Sequence, residues 1–337
     1  MNFERLERID EYDRYTDFAF KKAKERALQL NNTLKTKEPV QKARIIVKER
    51  MLCIDDALNK IAKRIESSYP SYESLPVFYQ ELMKCFFEPA QYRTAASSLT
   101  WASERVSELR KESLDKIKTA KTKGEINKIR ANFYGKSASF LRQVRKQLEF
   151  LEQARKTMKS FPDIKEGLFT VVITGFPNAG KSTLLKRLTG SNVEINSYPF
   201  TTKRLLCGNI EEGLLKVQMI DAPGSLNRKK KNQIEVQAEV ALTHAAQLVV
   251  FVFDLTEEYP IEDQKKLYRK TLRLGKQVLV YFSKPDIIGE GKIKEFIKSE
   301  KLSKKGTFYD VNSLRERIVE IARKSQKKPK EHKKNIG

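Results

Sequence analysis

Eight residues in the second half of the chain have the types and spacing of a phosphate-binding loop. They read GFPNAGKS, and they follow an apolar strand pattern and precede a helical one, which is the context in which G-x-x-x-x-G-K-S forms such a loop. Its glycines let backbone N–H groups surround phosphate, while its lysine and serine supply a cation and a Mg²⁺ ligand. We therefore predict a nucleotide site with Mg²⁺ in which these residues take part: Gly175, Phe176, Pro177, Asn178, Ala179, Gly180, Lys181, Ser182 and Thr183.

A second motif supplies a carboxylate for the same metal. The apolar run LLKVQMI is followed by Asp221, and Gly224 stands three residues later. This spacing places a carboxylate at a strand end and a backbone N–H where a γ-phosphate would lie. Between the two motifs, a loop hydroxyl from Thr202, or alternatively from Thr201, could complete the Mg²⁺ shell and order the loop as a switch. We expect Mg²⁺ to be bound by Ser182, Thr202 and Asp221.

A third motif, FSKPD, has the residue types of a guanine reader. The carboxylate of Asp286 can accept hydrogen bonds from N1–H and N2–H₂ of guanine, which adenine cannot provide, and the Lys284 stem can lie over the base. Ser283 stands where guanine-binding proteins usually have asparagine. Loss of that contact costs about 1–3 kcal/mol, or roughly 10–100-fold in affinity. The motif therefore predicts that the preference for guanine is kept and the affinity is reduced.

Two kinds of element must carry these motifs. The first 160 residues have apolar residues at helical spacing, as in the series Val47, Met51, Ile54, Leu58, Ile61 and Ile65, which predicts an all-α bundle of about four or five helices. Afterwards, apolar runs at 169–174, 214–220, 248–253 and 277–282 alternate with helical stretches, as in a mostly parallel α/β sheet flanked by helices. We predict a helical bundle over 1–160, a P-loop domain over 161–325 and a disordered basic tail over 326–337.

The charge of the chain favours a polyanionic partner. The formal net charge is +24 and both halves contribute to it, so the protein would attract RNA; a solvated lysine-rich surface is the alternative. Three separated cysteines form neither a disulfide framework nor a zinc site, and two histidines make histidine catalysis improbable. Because no apolar run reaches the length of a membrane span and the first residues are highly charged, we expect a cytoplasmic protein.

Together these motifs resemble one family. The segments GFPNAGKSTLL, YPFTTK, DAPG and IEVQAEVALTHAAQLVVFVFDLTEE, with the upstream helical segment LPVFYQELMKCFFEPAQYRTAASSLTWASERVSELR, resemble the nucleolar GTP-binding protein 1 (Nog-type) branch of the Obg-related GTPases. The resemblance extends from the second helix to Asp286. The length of the chain looks like an archaeal short form.

This resemblance implies a GTP/GDP switch in assembly of the large ribosomal subunit. The implied partners are rRNA and the large subunit or its precursor, with no membrane and no DNA, and the protein would be monomeric away from the ribosome. By the same resemblance, Lys181, Thr202 and Gly224 act on the transferred phosphate. Two departures weaken guanine binding: Ser283 replaces asparagine, and the last base-supporting motif is not recognisable in KKGTFYDVNS.

The residues around the γ-phosphate indicate slow hydrolysis. Ser225 and Leu226 follow the D-x-x-G motif where many GTPases place a glutamine, so we expect a low intrinsic rate and activation by the ribosomal particle. Asn178 stands where cation-dependent relatives hold K⁺; it could bind K⁺ or only stabilise the turn. The basic run Arg228–Lys231 could contact RNA when the switch is ordered, or be a solvated loop.

Two other functions compete with the switch. In one, the chain is a structural RNA-binding assembly factor whose nucleotide site is degenerate and weak, which Ser283 and the missing motif favour. In the other it is an ATP-using phosphotransferase, which Asp286 opposes. The intact loop from Gly175 to Ser182 favours the GTPase.

Overall fold

The computed structural model of this protein describes residues 3–34, 38–159, 161, 163–165, 167–190, 193–197, 204–221, 240–256 and 259–327. The contacts divide the chain into two compact units. One, here called the helical unit, comprises 2–75 and 86–159. The other, here called the sheet unit, comprises 76–85 and 160–337.

Long helices build the helical unit, as the apolar spacing predicted. Prolines at the first turn start two of them, where a missing N–H costs nothing, and Thr122 caps a third by accepting from the Glu125 N–H. Every member of the apolar series from Val47 to Ile65 is buried. The helices of this unit are α1 (Tyr12–Thr33), α2 (Pro39–Ser68), α4 (Pro89–Thr119), α5 (Lys123–Gln143) and α6 (Arg145–Met158).

The short helix α3 (Val77–Lys84) lies in the sheet unit, although the sequence places it among the bundle helices. Its apolar face, which includes Phe78 and Leu82, is buried. The Tyr79 hydroxyl accepts from the Ile164 N–H at 2.9 Å and donates to the Ile164 carbonyl at 3.3 Å. These bonds attach α3 to the segment that precedes the first strand. The domain boundary near residue 160 stays a prediction, and it assigns α3 to the helical bundle.

The sheet unit has seven strands in the order β2-β3-β4-β1-β5-β6-β7. Strands β4, β1, β5, β6 and β7 are parallel, and the β2–β3 and β3–β4 pairs are antiparallel, which confirms the mostly parallel α/β sheet. The strands are β1 (Phe169–Gly175), β2 (Val193–Ser197), β3 (Arg204–Glu212), β4 (Leu215–Asp221), β5 (Leu248–Phe253), β6 (Gln277–Phe282) and β7 (Thr307–Phe308).

Helices follow the parallel strands β1, β5, β6 and β7 and contribute to the covering layers. All residues of β1 and β5 are buried, as expected for parallel strands covered on both faces. The last helix runs to Lys327, two residues into the predicted tail; the rest of that tail lies outside the described residues. The helices are α7 (Lys181–Thr189), α8 (Ile261–Leu272), α9 (Pro285–Ile288), α10 (Glu290–Ser299) and α11 (Val311–Lys327).

The topology brings the candidate residues to one edge of the sheet. Parallel strands end at the same edge, and β1 is hydrogen-bonded to β4 on one side and β5 on the other. The carboxyl ends of β1, β4, β5 and β6 therefore lie at the same edge, which is where ligands bind in other open α/β sheets.

Candidate nucleotide site

The loop between β1 and α7 has the conformation that its glycines predict. Gly180 has φ 82° and Asn178 has φ 59°, both in the left-handed region that glycine and asparagine tolerate best. At Gly175, a Cβ would lie 2.6 Å from the Val252 carbonyl oxygen, so no larger residue fits there without a backbone shift. The loop leads directly into α7, whose N-terminal N–H groups favour an anion.

Lys181 is held inside this loop. Its side chain is only 7% exposed, and its Nζ donates to the Phe176 carbonyl at 2.5 Å. Phe176 is itself buried, and its ring packs against Tyr259 with centroids 5.4 Å apart. Phe176 therefore shapes the loop and fixes a carbonyl that orients the lysine, whereas Asn178 is exposed at the turn.

Ser182 and Asp221 form the second part of the site. The Ser182 hydroxyl donates to Asp221 Oδ2 at 2.5 Å. Asp221 Oδ1 is buried and has no hydrogen-bond partner among the residues that the structure describes. Burial raises the pKa of the Asp221 carboxyl, and the nearby Lys181 ammonium and the Ser182 hydroxyl oppose that rise only in part. A buried carboxylate with an unused oxygen stores an unfavourable charge that a cation would relieve.

These two residues fit Mg²⁺. This ion takes oxygen ligands and commonly uses one or two protein groups together with phosphate oxygens and water. The Ser182 hydroxyl and the free Asp221 oxygen are ligands of that type. Within the described ranges there is no group of three or more His, Cys, Asp or Glu residues that could hold a metal. Phosphate oxygens and water are the ligands that Mg²⁺ commonly adds to a small set of protein groups.

The loop after β6 presents the candidate base-reading residues. Lys284 has φ 52°, which turns the chain into the four-residue helix α9 and leaves Asp286 exposed on it. Ser283 is buried; its N–H and its hydroxyl both donate to the Phe253 carbonyl, at 3.0 and 3.2 Å. A Cβ on Gly180 would lie 3.3 Å from the Ser283 Cβ. The base-reading loop and the phosphate loop are therefore in close proximity.

Asp254 is a site residue that the sequence motifs did not reveal. It follows β5, and its Oδ2 accepts from Lys284 Nζ at 2.7 Å. Its Oδ1 accepts from the N–H and the hydroxyl of Thr256, at 2.9 and 2.7 Å. Burial by itself raises the pKa of Asp254, but the hydrogen bonds from Lys284 and Thr256 outweigh it, so the net pKa is lowered. The signal for this residue was its place directly after a strand of the parallel sheet.

A buried amide fixes Asp254 from behind. Gln264 on α8 is 1% exposed; its Oε1 accepts from the Asp254 N–H at 3.0 Å and its Nε2 donates to the Asp254 carbonyl at 2.8 Å. Because Gln264 and Thr256 hold Asp254 by hydrogen bonds, its carboxylate is positioned to anchor the Lys284 ammonium. The stem that we expect to lie over a base therefore starts from an ordered position.

We predict that Asp254→Asn lowers both stability and nucleotide affinity. The amide keeps the bonds from Thr256 but opposes the Lys284 ammonium, so the free energy of unfolding should fall by about 1–3 kcal/mol and GDP affinity roughly 10-fold. Because the folded-state pKa of Asp254 is lowered, its contribution is present at neutral pH and is lost as the pH falls below the usual value of 3.8. Urea unfolding at pH 7 and at acidic pH, with calorimetry for GDP, measures both effects.

Asp263→Asn is the matched control, because Asp263 on α8 pairs with the exposed Lys266 at 3.0 Å. An exposed pair of this kind contributes little to stability. Equal losses in the two variants would contradict an anchoring role for Asp254.

Several predicted residues lie outside the described residues. These are Thr201, Thr202, Gly224, Ser225, Leu226 and the run Arg228–Lys231. The KKGTFYDVNS segment contains β7 and the first residues of α11. Asp310 Oδ2 accepts from the N–H and the hydroxyl of Ser313, at 2.7 and 2.8 Å. That aspartate is thus used as a helix cap. In the part of the chain that the structure describes, no helix is long and apolar enough to span a bilayer.

Comparisons with known proteins recover both parts of the chain. A family model described as the NOG1 N-terminal helical domain matches residues 3–165, and one described as a 50S ribosome-binding GTPase matches residues 170–284. An uncharacterized protein of Methanocaldococcus jannaschii is 37% identical over 280 residues, which are 81% of this chain and 79% of that protein.

Two eukaryotic relatives carry a name. Nucleolar GTP-binding protein 1 of Encephalitozoon cuniculi is 31% identical over 72% of this chain and 48% of its own length. The protein of that name from Saccharomyces cerevisiae is 31% identical over 66% of this chain and 36% of its own length. The chain thus spans less than half of these two relatives. With a NOG1-type helical domain followed by a GTPase domain, it belongs to the nucleolar GTP-binding protein 1 (Nog-type) family of GTPases.

Proposed function

We propose that this chain binds GTP and GDP with Mg²⁺, hydrolyses GTP slowly and uses the two states as a switch in assembly of the large ribosomal subunit. The observation that carries the proposal is the pairing of Ser182 with a buried Asp221, whose other oxygen has no hydrogen-bond partner among the described residues, beside Lys181 in a preformed loop. A site with these groups suits a Mg²⁺-bound triphosphate better than an uncharged ligand.

In this site the residues have separate roles. Backbone N–H groups of 175–183 and the Lys181 ammonium bind and orient the phosphates, and Lys181 offsets charge that develops on the transferred phosphoryl group. Ser182 and Asp221, with Thr202, hold Mg²⁺, which when bound neutralises phosphate charge. Gly224 offers a backbone N–H to the γ-phosphate. A low intrinsic rate follows if no side chain orients the attacking water, and the ribosomal particle would then supply the activation.

The base preference depends on two residues after β6. Asp286 is exposed on α9, where its carboxylate is available to N1–H and N2–H₂ of guanine. Lys284 is anchored by Asp254 and covers the base with its stem. Ser283 lies against Gly180 without an amide to offer the base edge, so we expect selective but weakened guanine binding.

Ribosomal partners are supported by the family and by charge. One matching family is described as 50S ribosome-binding, and relatives are named for the nucleolus. The net charge of +24 suits rRNA. We propose binding to rRNA within the large subunit or its precursor, by a protein that is cytoplasmic and monomeric away from that particle.

Asn178 is proposed as a K⁺ ligand. It is exposed at the turn of the phosphate loop, and its backbone is left-handed. Asparagine at this position is therefore explained either by an amide that binds a ligand or by the tolerance of asparagine for this conformation. A cation beside the phosphates would supply charge that an arginine supplies in other GTPases. If Asn178 only stabilises the turn, Na⁺ and K⁺ will support equal turnover.

A structural RNA-binding role is the second candidate, and Ser283 favours it. The Ser283 hydroxyl donates to the Phe253 carbonyl, so it does not replace the asparagine amide at the base. If the site bound nucleotide only at millimolar concentration, RNA binding by the helical unit and the basic surface would be the function of the chain.

Calorimetric titration with GDP, GTP and ATP separates these candidates. In Mg²⁺ and K⁺ we expect GDP and GTP to bind on the order of 100-fold more tightly than ATP, because adenine leaves the Asp286 carboxylate unpaired. EDTA should weaken binding, and GTP turnover should be faster in K⁺ than in Na⁺. Absence of GDP binding below millimolar concentration would exclude the switch and leave the RNA-binding factor.

A further inference from the structure

A basic groove lies at the β7 end of the sheet, between α10 and β7. Its volume is about 710 Å³. Four lysines line it, and no carboxylate does so among the described residues. Of these, Lys294 pairs with Glu290 at 2.9 Å. The other three, which are exposed and form no ion pair within the described ranges, are Lys298, Lys301 and Lys304.

The lining of the groove also includes apolar and aromatic side chains. Ile297, Leu302 and Tyr309 line it, and all three are half-buried. All three pack against the core of the sheet unit, so the lysines lie beside side chains that belong to this packed core. The groove combines unpaired cations with an aromatic face, which is the combination that single-stranded nucleic acids use for backbone and base contacts.

The end of α10 fixes the position of one of these lysines. The Leu302 N–H donates to the Ile297 carbonyl at 3.0 Å and the Lys301 N–H to the Lys298 carbonyl at 3.3 Å, which is the Schellman pattern at a helix C-terminus. That pattern needs a left-handed residue, and Lys301 has φ 52°. Glycine is the usual residue at this position. The chain instead accepts backbone strain at a place where a lysine projects into the groove.

We propose that this groove binds single-stranded RNA. The inference rests on the proposed function, because it names the part of the sheet unit that would contact rRNA. Lys298, Lys301 and Lys304 would neutralise successive phosphates, and Tyr309 would stack on a base. An acidic peptide would satisfy the lysines equally but would not use the aromatic face in the same way.

The test uses the full chain and a 12-nucleotide unstructured RNA, with binding followed by fluorescence anisotropy at several KCl concentrations. For Lys298→Gln, Lys301→Gln and Lys304→Gln combined, we expect RNA affinity at low salt to fall at least about 10-fold. The slope of log affinity against log salt should fall by about 2, since each lost phosphate contact removes about 0.7. GDP affinity should stay unchanged.

A matched control removes the same charge elsewhere. Lys216, Lys266 and Lys324 are exposed lysines of the sheet unit that pair with carboxylates on its surface. Their combined change to glutamine should weaken RNA binding far less. Equal losses of RNA affinity in the two triple variants would mean that the overall positive charge of the protein binds RNA, and would overturn the proposal that the groove does so.

Lys301→Gly separates binding from folding. Glycine relieves the left-handed strain, so the thermal midpoint should not fall, while RNA affinity should fall about 3-fold or more. Unchanged RNA affinity in this variant and in Tyr309→Leu would overturn the proposal. So would displacement of the RNA by an equimolar 12-residue glutamate peptide, which would assign the groove to an acidic protein. Because GDP binding is titrated on the same variants, a failed groove is distinguishable from a failed nucleotide switch.

Discussion

Replacing Lys181 with methionine is expected to lower the affinity for GTP and GDP on the order of 100-fold. The ammonium is buried in the phosphate loop and donates to the Phe176 carbonyl, so its position is set before a ligand arrives. A single charge-assisted bond to phosphate contributes about 1.5–3 kcal/mol, and the upper part of that range corresponds to the expected loss. Methionine keeps most of the aliphatic stem but leaves the Phe176 carbonyl and the buried Asp221 carboxyl without the ammonium, so the free energy of unfolding has to be measured beside the affinity.

Calorimetry with GDP, alongside urea unfolding, measures this effect. Lys186→Met is the matched control, because Lys186 lies on the same helix α7 but is exposed. We expect that variant to bind GDP within about 2-fold of the unmodified chain. Comparable GDP affinity in Lys181→Met and Lys186→Met would show that the loop does not bind phosphate in the way we propose.

Asp286→Asn is expected to change which base is bound. The carboxylate accepts from two donors of guanine, and an amide would instead oppose the guanine N2–H₂ group with a second donor. The unpaired groups should reduce GDP affinity on the order of 100-fold. Xanthine has a carbonyl at the same position, which the asparagine amide can satisfy, so XDP should bind better to the variant than to the unmodified chain.

Competition between GDP, XDP and ATP for a fluorescent nucleotide measures the change. Asp286 is exposed on the short helix α9, so the substitution should leave the unfolding transition unchanged. Glu290→Gln, at the start of α10, removes a similar exposed charge and serves as control. If GDP and XDP kept their relative affinities in Asp286→Asn, Asp286 would not read the base.

The strands and loops with strong local signals could be predicted from the sequence. β1 and β5 are largely apolar runs. The spacing of Gly175 and Gly180, followed by lysine and serine, is typical of a phosphate-binding loop and of few other structures. Helix α2 was predictable because its buried residues recur every three or four positions. In each case one short stretch of sequence contains most of the energetic reason for its structure.

Other features depend on residues that are distant in the chain. Strands β2 and β3 were not predicted, because their sequences, VEINS and RLLCGNIEE, lack an uninterrupted apolar run. Strand β7 has only two residues. The anchoring of Lys284 by Asp254 joins two loops separated by α8 and β6. The strand-end rule indicates where such an aspartate would lie, but only the packed structure gives its partner.

Helix α3 has a consequence for how the protein is made. Its buried face is Phe78, Tyr79, Leu82 and Met83, and every strand of its unit comes later in the chain. During synthesis from the N-terminus, this apolar face emerges well before the segment around Ile164 that it packs against. The helices before and after it, α2 and α4, can pack against each other before α3 has its own packing partner. A fragment beginning at residue 161 would lack α3 altogether, so the GTPase region should be expressed together with the residues that precede it.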